Sequence, residues 1–223
     1  MTDLVDQFER VLHGLQVAEN PVAGVLQDGL SRGKIDSACV RIPYQLPDEL
    51  YELYLWHNGT QTEETQPPRD WPFFNGFYFT PLKQAIHEYE ILVKMAEFGD
   101  VGFKANWFPF LADADGNHYV YDGKSSPSSS IIKYSPDRTE QPVQFNSLCD
   151  MMRTIAQAYE SGVIRYDKSD QCEDIDLDRF RDLAANLNPL IPFWPADIRD
   201  VERARDDQHD LYAAQTDDDD DDE

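Results

Sequence analysis

The stretch Trp107-Phe108-Pro109-Phe110-Leu111-Ala112-Asp113-Ala114-Asp115-Gly116-Asn117-His118-Tyr119-Val120-Tyr121-Asp122 decides the fold. Two apolar runs flank Asp113-Ala114-Asp115-Gly116-Asn117, whose residues bond their own backbone or accept positive φ, so the segment predicts an antiparallel hairpin. Pro109 has no N–H for a ladder and favours an edge or a bulge in the first strand. Beyond the hairpin, residues 123–130 read as a Gly/Ser/Pro loop and Ile131-Ile132-Lys133-Tyr134 as a third strand. Before it, the nine residues from Trp71 to Phe79 hold six aromatic rings around Asn75-Gly76, a strong two-residue hairpin signal. Neighbouring strand residues point to opposite faces, so rings this dense require that both faces be covered or that some rings stay exposed. Core burial of the cluster is the first expectation, with Trp71 or Phe74 as the ring that could face a partner.

Helical periodicity surrounds this strand-rich centre. Leu4, Phe8, Val11, Leu12 and Leu15 share one face of an opening helix that Asn20-Pro21 ends. Residues 22–45 are mixed. Leu46-Pro47-Asp48-Glu49-Leu50 starts a second helix, with Pro in its first turn and two carboxylates beside its positive end. Leu50, Leu53, Tyr54 and His57 share its face, and Asn58-Gly59 reads as a left-handed cap. Residues 60–72, with three prolines, read as an exposed loop. Leu82, Ala85, Ile86, Tyr89, Val93 and Ala96 line a helix closed by Gly99. Phe145, Leu148, Met152, Ile155, Ala156 and Tyr159 line another that ends at Gly162, and residues 177–187 form the last, ended by Asn188-Pro189. Strands in the middle and helices at both ends predict an α+β domain over residues 1–199, an antiparallel sheet covered by helices, with a helical extension from residue 163.

The chain carries 43 acidic and 19 basic side chains, a net charge of −24. Residues 200–223 hold 12 acidic and two basic side chains, so −10 belongs to this end and −14 to the other 199 residues. Such a surface repels phosphate backbones and anionic lipid, which argues against direct nucleic-acid or membrane binding and for a basic protein partner. The run Asp217 to Glu223 has no apolar side chain to bury and predicts a disordered tail. Self-repulsion tilts the oligomeric state towards a monomer. Three widely spaced cysteines, a start without an export signal and the lack of any run of about 18 apolar residues lead to the expectation of a cytoplasmic protein.

Tests for chemistry come out negative. The phosphate-cradle patterns GxxxxGK[ST] and GxGxxG and the nucleophile elbow GxSxG are missing, and His87-Glu88 lacks the second His of HExxH, since position 91 is Ile. Asp113, Asp115 and Asn117 alternate like the start of a calcium loop, but Gly116 is fourth instead of sixth and the twelfth residue is Lys124 instead of Glu. A hairpin turn is the expectation there. His57 reads as a packed residue and His118 as an exposed strand residue. No catalytic residue, metal or cofactor is expected.

Three segments, in this order, resemble a known family: Leu46 to Gly59 with its LP and NG ends, the Trp107 to Asp122 hairpin with its Gly116-Asn117 turn, and the helix from Phe145 to Gly162. Together they are similar to the SUKH superfamily, the Smi/Knr-like proteins that include fungal cell-wall-synthesis regulators and bacterial immunity proteins. The similarity covers about residues 25–162. It implies an α+β fold with a twisted, mostly antiparallel sheet and no catalytic residues, which acts by binding proteins. The expectation is a non-enzymatic binding module, with an immunity protein that neutralises a cationic toxin by direct contact as its leading form. A regulator or scaffold for cell-wall or signalling proteins is the alternative, and a metal-dependent enzyme using Asp113, Asp115, Asp122 and His118 ranks third. The partner-binding candidates are Trp56, Trp71, Phe74, Asp113, Asp115, His118 and Asp122.

Overall fold

The central hairpin forms as expected. The computed structural model describes residues 2–60, 72–99, 102–123 and 129–195. Along the chain the elements are α1 (Asp3–Val17), β1 (Leu26–Asp28), α2 (Arg32–Ala38), α3 (Asp48–Trp56), β2 (His57–Thr60), β3 (Tyr78–Phe79), α4 (Leu82–Glu97), β4 (Trp107–Ala112), β5 (His118–Asp122), β6 (Ser130–Tyr134), β7 (Val143–Phe145), α5 (Leu148–Glu160), β8 (Ile164–Asp167), β9 (Cys172–Ile175) and α6 (Leu177–Leu187). Strands β3-β4-β5-β6-β7 pair in that order, antiparallel throughout, and β1-β2 and β8-β9 form separate two-stranded ribbons. The chain is therefore an α+β protein built on an antiparallel sheet. A bulge falls between Pro109 and Leu111, and the ladder with β3 begins only at Leu111, past the proline that could not have donated to it.

The aromatic turn is also as read. Asn75 and Gly76 both have positive φ, 50° and 80°, and Phe74 bridges Phe77 across them. Phe73, Phe74, Phe77 and Phe79 are all buried, so both faces are covered.

The Asn58-Gly59 pair does not cap α3. Helix α3 stops at Trp56, and His57–Thr60 pairs with Leu26–Asp28 as a strand. His57 Nδ1 lies 2.7 Å from the Gln27 carbonyl, and Asn58 Oδ1 accepts the Leu82 N–H at 3.0 Å, capping the start of α4. Gly59 has φ 78°, and a Cβ there would lie 2.5 Å from the Pro81 nitrogen. The pair therefore joins β1, β2 and α4 at a close backbone crossing that only glycine fits.

Glu49 of the Leu-Pro-Asp-Glu-Leu signature ties α3 to α5. Its carboxylate accepts the first two N–H groups of α5, Leu148 and Cys149, each at 3.3 Å, and the hydroxyls of Tyr121 and Ser129, each at 3.0 Å. Ser147 accepts the third N–H, from Asp150, at 3.0 Å. Helix α5 crosses α1 so closely that a Cβ on Gly14 would lie 2.7 Å from the Cβ of Tyr159.

The β8-β9 ribbon stands where the sequence predicted only helix. After it, α6 and the following turn pack onto the sheet: Phe180 lies 5.6 Å from Phe74, Trp194 lies 5.3 Å from Phe145, and Trp194 Nε1 donates to the Gln144 carbonyl at 2.6 Å. The acidic end from Asp200 and the loop over residues 61–71 lie outside the described residues.

Candidate interaction surface

The β4-β5 turn spends its acidic residue on its own backbone. One Asp113 oxygen accepts the N–H groups of Asp115, at 2.9 Å, and Asn117, at 2.8 Å; the other accepts Asn117 Nδ2 at 2.8 Å. Gly116 adopts φ 83° and Asp115 is exposed. The hairpin-turn reading accounts for these residues, and the oxygens that a cation would need are engaged by N–H donors. Among the described residues, no group of three or more His, Cys, Asp or Glu side chains is disposed to hold a metal ion.

His118 departs from its expected exposure. It is buried at the start of β5, with Nε2 3.3 Å from Glu88 Oε2 of α4. Glu88 also accepts Gln84 Nε2 at 2.9 Å, while His118 Nδ1 has no hydrogen-bond partner. A partner could not reach this imidazole. Phe74 is likewise buried, packed between Tyr119 and the Phe180 ring of α6, which removes it as a partner-facing ring. Asp122 sits at the far end of β5, opposite Trp107, and accepts Asn106 Nδ2 at 2.5 Å. The Asp113 turn and Asp122 thus occupy opposite ends of one hairpin and form no common site. Trp71 lies outside the described residues.

Trp56 keeps a place at the surface. It is half-buried, stacked on Phe8 of α1 with ring centroids 4.9 Å apart and planes 12° from parallel. Its indole N–H donates to Glu9 Oε1 at 3.1 Å. Asp48, Glu52 and Trp56 follow at four-residue spacing on α3 and so share a stripe. Asp48 and Glu9 are exposed, Glu52 is half-buried, and the Glu52 carboxylate accepts the Thr2 hydroxyl at 2.7 Å. The Phe8 ring covers one face of the indole and the His57 ring packs against it at 4.5 Å, so the line of carboxylates can draw in a cationic group while Trp56 offers an apolar edge for packing.

A second surface escaped the sequence reading, which followed only the buried face of its helix. Ile91, Met95 and Phe98 run at i, i+4, i+7 along the outer side of α4 and are exposed, Phe98 by 73%. The signal was available in the same helical periodicity, half a turn round.

Two of the cysteines, Cys39 and Cys149, are held as thiols. All three are free; burial raises Cys39 to about 11, and burial together with its bond to Asp3 raises Cys149 to about 12. No described helix is long and apolar enough to cross a membrane.

With this geometry in hand, comparison with known families is informative. A family model described as the SMI1 / KNR4 family (SUKH-1) matches residues 29–154, a span from just before α2 into α5 that takes in the whole central sheet. No curated protein matches the chain.

Proposed function

The chain belongs to the SMI1/KNR4 family (SUKH-1), and from that premise we propose that it is a non-enzymatic, cytoplasmic protein-binding module that holds a basic partner by direct contact. The observation that carries the reading is the acidic excess that remains when the acidic end is set aside. Residues 1–199 keep −14 without the acidic end, the exposed Glu9 accepts the Trp56 indole N–H, and Asp48 and Glu52 continue the acidic stripe along α3. A field of that sign speeds the encounter with a cationic protein, and a half-buried indole supplies the kind of anchor that carries binding energy. Masking a cationic toxin is the leading form of this activity. The acidic end, outside the family span, supports a second form in which it tethers the client of a regulator or scaffold.

Capture on the tagged full-length chain from its own cells, at about 50 mM and about 500 mM salt, tests the proposal. A basic protein should be recovered whose yield falls at the higher salt and falls again with Glu9→Lys or Glu52→Lys. Recovery of no salt-sensitive partner, or indifference to both variants, overturns the assignment of partner and surface.

A further inference from the structure

Past the family span, the β8-β9 ribbon meets the rest of the protein at a carboxyl group. Glu173 lies on β9 opposite Tyr166 of β8. Its stem is partly exposed but its carboxyl end is enclosed. One oxygen accepts the Asn75 N–H at 2.5 Å and the other accepts the Tyr159 hydroxyl at 2.8 Å. A single side chain thus joins the ribbon to the aromatic turn and to the last turn of α5.

Among the described residues, no cation balances this group. The influences on its ionisation are burial, which dominates, and the bonds from Tyr159 and Asn75. The described cations of the neighbouring elements are engaged elsewhere: Lys133 of β6 lies over the Phe77 ring, 5.3 Å from its centroid, and Arg179 of α6 donates to the Ser161 carbonyl at 3.3 Å. On its own ribbon, Arg165 faces Asp174 in the pairing register and its Nε donates to the Gly162 carbonyl at 2.9 Å. Lys168 pairs with Glu19 at 2.7 Å, and Glu160 of α5 pairs with Arg10 of α1 at 2.7 Å. The Tyr159 hydroxyl is itself held neutral, because burial raises it well above its usual range.

An enclosed carboxylate without a cation favours its neutral form. The geometry accommodates that form. When ionised, Glu173 accepts both bonds; when protonated, its carbonyl oxygen can still accept from Asn75 while its O–H donates to the Tyr159 oxygen, since a phenol both donates and accepts. We propose that Glu173 is a proton-operated latch, which when protonated holds the β8-β9 ribbon against the Asn75-Gly76 turn and Tyr159, and which loosens as it ionises.

Burial raises Glu173 from 4.5 to about 7. For a carboxyl whose folded pKa is raised, the stabilisation is complete below the unfolded value and is lost as pH rises through the folded one. The window therefore runs from about 4.5 to about 7 and reaches neutral pH. Two-state linkage over this shift makes the equilibrium constant for ribbon opening rise about tenfold between pH 6 and pH 8.

The test uses the full-length chain and needs no partner, so it succeeds or fails independently of the binding proposal. The Asn75 amide resonance is followed from pH 4 to pH 9, and native-state hydrogen exchange of the β8 and β9 amides, corrected for intrinsic rates, is measured at pH 6 and pH 8. Wild type should titrate with a midpoint near 7 and lose about tenfold in ribbon protection. Glu173→Gln, which copies the neutral bonding, should show neither change. Tyr159→Phe, which removes a bond that favours the ionised form, should move the midpoint further up, a displacement that a merely packed side chain would not produce. A midpoint in the ordinary carboxylate range, or an unchanged pH profile in Glu173→Gln, overturns the latch.

Discussion

Replacing Glu49 by alanine tests how the Leu-Pro-Asp-Glu-Leu signature works. Its carboxylate serves two helix-end N–H groups at 3.3 Å and two hydroxyls at 3.0 Å. The helix-end bonds are long and belong at the low end of the net range for a protein hydrogen bond, about 0.5 kcal/mol each, while the hydroxyl bonds are worth about 1 kcal/mol each. Together they amount to about 3 kcal/mol. For a protein of this length that is roughly 6–12 °C in Tm. Ser147 still caps Asp150, so α5 should persist and its first turn should fray. Glutamine keeps one acceptor but turns an NH2 group towards donors, and should cost about 1–2 kcal/mol. Glu52 provides the control. Its bond to Thr2 is exposed, and Glu52→Ala should cost below about 0.5 kcal/mol. Urea unfolding followed by circular dichroism reads all three variants. A Glu49→Ala stability within about 0.5 kcal/mol of wild type, or equal to that of Glu52→Ala, refutes the role assigned to this side chain.

Three further outcomes are measurable in the same way. Gly59→Ala places a side chain at φ 78°, 2.5 Å from the Pro81 nitrogen and 2.7 Å from the Phe79 oxygen, both backbone, and should cost about 3 kcal/mol or prevent accumulation of folded protein. Asp113→Ala removes three turn bonds and should cost about 1–2 kcal/mol, and millimolar Ca²⁺ should leave the wild-type Tm unmoved; a Ca²⁺-dependent rise that the variant lacks would restore the calcium-loop reading. Trp194→Ala strips a buried indole from Phe145 and Phe180 together with its bond to Gln144, and should cost about 3–5 kcal/mol in thermal unfolding if the extension is integral to the fold.

What the sequence disclosed depended on the range of the forces involved. The β4-β5 hairpin and the Asn75-Gly76 turn are set by residues that bond or bend their own backbone, so both were legible in a few letters. Strand β2 was not legible, because His57-Asn58-Gly59-Thr60 has no strand pattern and extends only because Gln27 and the α4 N-terminus take up its polar groups. His118 reads as exposed, and Phe74 as a ring that could face a partner, for a similar reason: Glu88 covers the first and α6 the second, and neither contact leaves a mark on the neighbouring sequence. The β8-β9 ribbon did leave one, in β8, where Ile164 and Tyr166 alternate with Arg165 and Asp167, but the charged residues of β9 hid the period.

The charge balance separates folding from binding. Basic side chains of the described part are drawn to its own carboxylates: Arg10 to Glu160, Arg41 to Glu90, Arg153 to Asp3 and Asp150, and Lys168 to Glu19. These pairs are exposed or only partly shielded, so each contributes little to stability, and salt that screens them leaves the buried aromatic core untouched. The acidic excess left over is different, because it acts at a distance through solvent, where the Debye length falls to about 8 Å at physiological ionic strength. Raising salt should therefore leave the folded state nearly unchanged while it slows the capture of a basic partner. Salt sensitivity of binding without salt sensitivity of unfolding is the pattern that an electrostatically steered contact protein must show; equal sensitivity of both would place the acidic residues in the service of the fold alone.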